Sequence, residues 1–584
     1  MDRTLNDLLL QLKTAMGQEP ADLIVDNVQV VNVYTERVEP GVLVIKKGKV
    51  VAVNPNHSLP GPVVDGQGQY AVPGFMDAHV HIETTLLTPE ALGALVVPHG
   101  TTALFVDPME IANVAGTEGL RLLLKNDRHL PYRLYLEVPS RVPTAPGLET
   151  TGGVLGPAEV RQLMDWEAAV SLGELDPAKV LGLKIEYLEK VLTAHGKGKV
   201  ANGHAIGLGW NELNCYAAAG LNDDHECVLF EELLERVALG MTVFIREGST
   251  ERNLDALIKG VIEHRLNVEH LAFCTDDKHA NDINREGHIN YNVNRAIALG
   301  LDPVKAIKIA SLNCARHFRL DHRLGSLTPG RWADFMLTES LTHIQPTAVY
   351  KAGVLVAENG KLVQPVPPAD YRGLYDTVKL SPSFSPACFR VTCPREEAAV
   401  RVINIYPDQI INYGTIETMK AREGLLAADP GRDLAKLAVV ERYGKNGSVG
   451  LAFVKGFGLK AGALAISVSH DHHNITVVGV SDTDMYLAAK ELERHGGGAV
   501  VVRDGQVLGL LPLPVGGLMS DRPAEEVMGA MDALNGKAGK LGCSLPAPFM
   551  SLSFISLPTV PELGLTDQGL IDVKDHKLIP LIIP

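Results

Sequence analysis

Between residues 73 and 322 the chain alternates short apolar runs with helical patterns. Eight runs stand out, ending in Met76–His81, Leu104–Asp107, Leu134–Val138, Ala169–Glu174, Val200–His204, Leu221–His225, Val243–Glu247 and Leu271–Asp276. Strand-like runs alternating with helical patterns are the signature of βα units. Eight of them in about two hundred residues is the size of a TIM-like (β/α)8 barrel, whose chemistry sits at the C-terminal ends of the strands. The first, fourth, fifth, sixth and eighth runs end in His79 and His81, Glu174, His204, His225 and Asp276. All are residue types that bind metals through nitrogen or oxygen.

Within the first run, residues two apart in an extended strand point to the same side, so His79 and His81 would offer two imidazoles to one point. A His-x-His pair alone decides little: with 20 histidines in 584 residues, chance supplies about 0.7 of them. A second pair, His470-Asp471-His472, does occur downstream. The set of strand ends carries the metal-site reading.

Strand-like segments at residues 21–72 and Leu324–Val363 flank the alternating region, as if one β-sandwich were built from both sides of an inserted barrel. Residues 381–584 form a further α/β region with a polar insert, His470-Asp471-His472-His473-Asn474, between two apolar runs. The expected domains are therefore 1–72 with 323–380 (sandwich), 73–322 (barrel) and 381–584 (C-terminal α/β domain). A net charge of −15 without a long basic run argues against a nucleic-acid or anionic-membrane partner. No apolar run approaches the ~20 residues of a membrane span. The N-terminus has Leu5, Leu8, Leu9, Leu12 and Met16 at helical spacing but none of the parts of a signal peptide. Seven dispersed cysteines without a CxxC pair suggest reduced thiols in the cytoplasm.

The segments PGFMDAHVHIETT, PHGTTALFVDPMEIANVAG, NGHAIGLGWNELNCYAAAG, DDHECVLFEELLERVALGMTVFIREGS, FCTDDKH and SHDHHN resemble the amidohydrolase superfamily and, within it, the bacterial adenine deaminases. The resemblance spans nearly the whole chain. It departs at Met109, where that family usually has His, at Arg141 (Cys), at Thr84-Thr85 (Ser-Ser), at Leu175-Asp176-Pro177 after the fourth strand, and at His472 (Ser).

The resemblance implies two divalent metals, Mn2+ or Fe2+ ahead of Zn2+. His79 and His81 would hold the first and His204 and His225 the second. Glu174 would bridge them in place of a carbamylated lysine, with Glu186 and Glu137 as its rivals. Asp276 would complete the first shell and move protons, so that Asp276, Glu174 and His225 form the catalytic set. A helix N-cap is the plain alternative for Asp276-Asp277. Glu110, Asn113, Ser140, Arg141, His470 and Asp471 would face substrate, with helix starts and polar turns as the plain alternatives. The implied reaction converts adenine to hypoxanthine and ammonia in purine salvage, with a purine base as the small-molecule partner and a homo-oligomer as the assembly. Hydrolysis of a different aminopurine or a cyclic amide on the same barrel, and a catalytically dead scaffold, are the competing expectations.

Overall fold

The computed structural model describes residues 4–406, 412–558 and 562–584. Its centre is parallel sheet. Phe75–Val80, Thr101–Val106, Arg133–Val138, Ala169–Leu175 and Val200–Gly203 pair in that order. Asp223–Asp224, Thr242–Arg246 and Leu271–Cys274 form a second parallel group. Most of these strands are buried along their whole length. That is why they read as continuous apolar runs rather than alternating ones.

The two groups approach each other at both edges. Asn222 donates its amide to the carbonyl of Ala201 at 2.9 Å. At the other side Val80 bridges to Asp276, the Asp276 amide donates to the His79 carbonyl at 3.0 Å, and the His81 amide to the Asp276 carbonyl at 3.2 Å. The sheet therefore curls until its last strand lies against its first. Asp276 makes these bonds with φ 56°, a left-handed conformation that Asp tolerates better than most residues.

Helices lie between the strands. In Phe230–Ala238 the buried residues are Phe230, Leu233 and Arg236, one face of a helical turn. Glu232 closes its start by accepting from the amides of Val228 and Leu229. The helix Met109–Leu123 is kinked at Gly116 (φ 57°).

The strand segments before and after this region meet in one nine-stranded sheet. Tyr70–Pro73 pairs with Phe335–Thr338 in register Phe335↔Pro73 to Thr338↔Tyr70. Val25, Val28, Leu43 and Ile45 from one segment share a core with Phe335, Leu337 and Tyr350 from the other. Residues beyond 390 build an eight-stranded sheet. Two of its strands, Ala463–Ile466 and Ile475–Gly479, pair as Ile466↔Thr476, so the polar insert is the tip of a hairpin.

The first helix, Leu5–Ala15, is capped by Thr4. It buries Gln11 and Thr14 and leaves Leu5, Leu9, Leu12 and Met16 exposed. Among the described residues, no helix is long and apolar enough to cross a membrane.

Gly173, just before Glu174, is buried where a Cβ would overlap the Asp107 carboxylate. Gly173→Ala should therefore cost about 1–3 kcal/mol of stability through overpacking and shift the strand end. Gly196, at the end of the helix Ile185–Gly196 with open space around it, is the control. Thermal unfolding of the two variants checks this: equal melting temperatures would show that the close approach at Gly173 is not tight.

Candidate active site

His79 and His81 leave the first strand on the same side, their rings 5.0 Å apart. Each has one nitrogen tied up behind the site. His79 Nδ1 lies 2.7 Å from Glu137 Oε2, and His81 Nδ1 donates to the Asp107 carbonyl at 2.8 Å. Such partners fix the ring orientation and free the other nitrogen as a ligand. His79 Nε2 lies 3.7 Å from Asp276 Oδ1 and 3.9 Å from Glu174 Oε2. His81 Nε2 lies 3.5 Å from Asp276 Oδ1 and 3.8 Å from Glu174 Oε1. Across the cleft, His204 Nδ1 and His225 Nε2 each sit 3.1 Å from Glu174 Oε2 and 3.4 Å from one another.

Three groupings result: His79 with His81 and Glu174, His79 with His225 and Asp276, and Glu174 with His204 and His225. Within each, the ligating atoms lie within 4.8 Å of one another. This donor set fits divalent metal. His79 Nε2 is buried with no hydrogen-bond partner. Burial, and then the imidazoles of His225 and His81, push its pKa down to about 4, so it offers a neutral donor nitrogen. Around His225 burial is outweighed by the hydrogen bond to Glu174 and by the Asp276 and Glu226 carboxylates, which push its pKa up to about 10. The surrounding carboxylates favour a cation at His225, where a proton and a bound metal would compete for one nitrogen.

Burial works against the charge on Glu174, but Arg141 and then His204 hold it well below the ordinary carboxylate range. The Arg141 guanidinium contacts Glu174 directly. The Glu174 amide donates to Asp107 Oδ2 at 3.0 Å, and the Ser140 hydroxyl donates to its carbonyl. Asp276 is ionised for a parallel reason: burial is overcome first by Arg246, then by His225 and His81. Arg246 Nη1 lies 2.9 Å from Asp276 Oδ2 and 2.6 Å from Glu226 Oε1. One oxygen of Asp276 is thus held by Arg246 while the other faces His79 and His81.

A cleft of about 360 Å³ opens over this cluster. On it lie His81, Glu174, His204, His225, Asp276, Glu110, Arg141, His470 and Asp471, with His79 just beneath. Asn113 and Ser140 are not on it. The Asn113 amide is turned back to the Met109 carbonyl of its own helix at 3.1 Å, and Ser140 supports the backbone of Glu174. Of the rivals for Glu174, Glu186 lies exposed in the first turn of Ile185–Gly196, and Glu137 is the partner of His79. Asp277 caps no helix, because the next one begins at Ala280 after His279. It lines the cleft, where burial and then Asp276 push its pKa up to about 8.

The sequence reading did not single out Arg246, Glu226, Asp107, Phe554 or Leu557. Glu226 follows a proposed ligand and Arg246 ends a strand, which are faint signals. Phe554 and Leu557 reach the cleft from the distant C-terminal region and leave none.

Residues 70–365 match the amidohydrolase family model, and residues 409–577 match the adenine deaminase C-terminal domain. The chain is 61% identical to an adenine deaminase of Desulforamulus reducens over 575 residues, 98% of each chain. It is 40% identical to an adenine deaminase of Moorella thermoacetica, covering 97% of each. A solved β-aspartyl dipeptidase from Fervidobacterium islandicum superposes with a TM-score of 0.45 at 17% identity, over 59% of this chain and 98% of that one.

Glu137→Gln should leave the fold intact but weaken divalent-metal affinity about 10- to 100-fold, the usual effect of removing a ligand's orienting partner. Metal titration followed by calorimetry checks this. Wild-type affinity in the variant would mean that Glu137 does not orient His79.

Proposed function

The chain belongs to the adenine deaminase family of the amidohydrolases, and from that premise we infer that its cleft hydrolyses adenine to hypoxanthine and ammonia. The observation that carries this is the full-length match to an adenine deaminase at 61% identity. We further read the curled parallel sheet as a closed (β/α)8 barrel at 73–322, with a flanking β-sandwich from 1–72 and 323–380 and a C-terminal domain at 381–584.

In this reading His79 and His81 would hold one divalent metal and His204 and His225 a second, with Glu174 and Asp276 supplying the carboxylates of the site. When bound, such metals lower the pKa of water and so supply a nucleophile at neutral pH. Nitrogen and oxygen ligands without thiolate suit manganese, iron or zinc, and we favour manganese or iron.

The remaining work falls to the chain's own residues. Water adds to C6 of the purine, and the amine leaves only once protonated. Asp276 starts ionised because Arg246 stabilises its charge, so it can accept the proton of the attacking water. It then delivers that proton to the exocyclic nitrogen. Glu110, His470 and Asp471 offer polar groups to the purine edge. Phe554 and Leu557 supply an apolar wall that excludes water, which strengthens these interactions. Arg141 links Glu174 to the substrate side of the cleft.

We place the enzyme in purine salvage in the cytoplasm, in keeping with seven unpaired cysteines. We also expect a homo-oligomer, which the exposed stripe Leu5, Leu9, Leu12 and Met16 would suit.

Metal-loaded protein offered adenine, adenosine and guanine at equal concentration should release ammonia from adenine at least about a hundredfold faster, since loss of a matched hydrogen bond can cost that much. Intact adenine with turnover of another compound would overturn the substrate assignment.

A further inference from the structure

Glu110 lies between the metal-site histidines and the C-terminal hairpin tip. Its Oε2 is 3.5 Å from His81 Nδ1, which is already engaged with the Asp107 carbonyl, and its Oε1 is 3.5 Å from His470 Nδ1. Oε2 is buried and has no hydrogen-bond partner. One nitrogen each of His470 and His473 and one oxygen of Glu110 lie within 4.8 Å of one another.

The tautomer of His473 decides what this cluster is. Its Nδ1 accepts the Ser469 amide at 3.2 Å. Ser469 is itself fixed, its hydroxyl 2.5 Å from Thr476 Oγ1 and 2.7 Å from Ser556 Oγ. Burial, and then His470, keep His473 neutral. A neutral imidazole with an accepting Nδ1 carries its proton on Nε2. A metal at Nε2 would require an imidazolate, which argues against reading the cluster as a third metal site. His473 Nε2 is buried and unpartnered. The cluster thus contains an orphan donor on His473 and an orphan acceptor on Glu110, each costly if left unmade.

We propose that His473 is a positioning residue for substrate recognition: its Nε2–H donates through one bridging water to Glu110 and holds that carboxylate toward the purine. This rests on the adenine reading above. It makes the hairpin tip at 467–474 part of adenine affinity rather than of the chemical step.

The test compares His473→Gln, which keeps an N–H near the Nε2 position, with His473→Leu, which does not. Both replace a residue at φ 50° with one that is not branched at Cβ, so backbone strain is common to both. KM and kcat for adenine, adenine affinity by calorimetry and metal per chain are measured in each, alone and with Glu110→Gln.

His473→Leu should weaken adenine affinity and raise KM about tenfold, the size of a hydrogen bond to a charged group, with kcat within about threefold. His473→Gln should recover most of the loss. In the Glu110→Gln background His473→Leu should change affinity by less than about twofold. Equal losses in the Gln and Leu variants, an undiminished Leu effect in the Glu110→Gln background, or loss of one metal equivalent in both would overturn the inference. The same affinity pattern without ammonia release from any protein would uphold it and count against the deamination reading instead.

Discussion

A carboxylate buried at the mouth of a parallel sheet is unstable by several kcal/mol unless opposite charge surrounds it. Glu174 is that carboxylate. It ends a strand buried on both faces, lies against Arg141, and has His204 and His225 each at 3.1 Å. The neighbouring architecture can be read as the arrangement that keeps it charged and aimed. Gly173 lets Asp107 approach, Asp107 holds the Glu174 amide, and Ser140 holds its carbonyl. Lys190, buried behind it, donates to the Ser140 and Leu155 carbonyls at 2.7 Å each and fixes the loop that carries Arg141.

The same logic recurs at Asp276. Its backbone bonds to His79 and His81 join the last strand to the first, and its side chain is held by Arg246, which also binds Glu226. One residue thus ties the curl of the sheet to the placement of a carboxylate. A substitution that moved the strand ends would alter the site, and one that removed a charge from the site would strain the strand ends. The C-terminal region adds what the parallel sheet lacks, since the hairpin tip and Phe554 cover the cleft with a stacked pair, His470 and Phe554 at 4.4 Å.

The parallel strands and their polar ends were legible because strands covered on both faces are apolar until they reach the surface. The hairpin insert was legible as a polar interruption of apolar runs. The family resemblance supplied the substrate, which spacing cannot read. What stayed hidden depends on contacts between distant segments. Glu137 and Asp107 are ordinary acidic residues until His79 and His81 fold against them. Asn113 sits one helical turn after Met109 and binds that residue's carbonyl, so its nearness in sequence to Glu110 misleads. The first helix has the spacing of a buried stripe yet exposes it, because Gln11 and Thr14 take the face toward the sheet.

In the proposed metal centre Glu174 is the carboxylate common to both groups of histidines. Metal per chain in Glu174→Gln and Glu186→Gln, purified from manganese-supplemented medium and measured by plasma mass spectrometry, tests it most directly. The account predicts that Glu174→Gln loses most bound metal while remaining folded, and that Glu186→Gln keeps the wild-type amount. Equal metal in both variants, or a larger loss at Glu186, would contradict it.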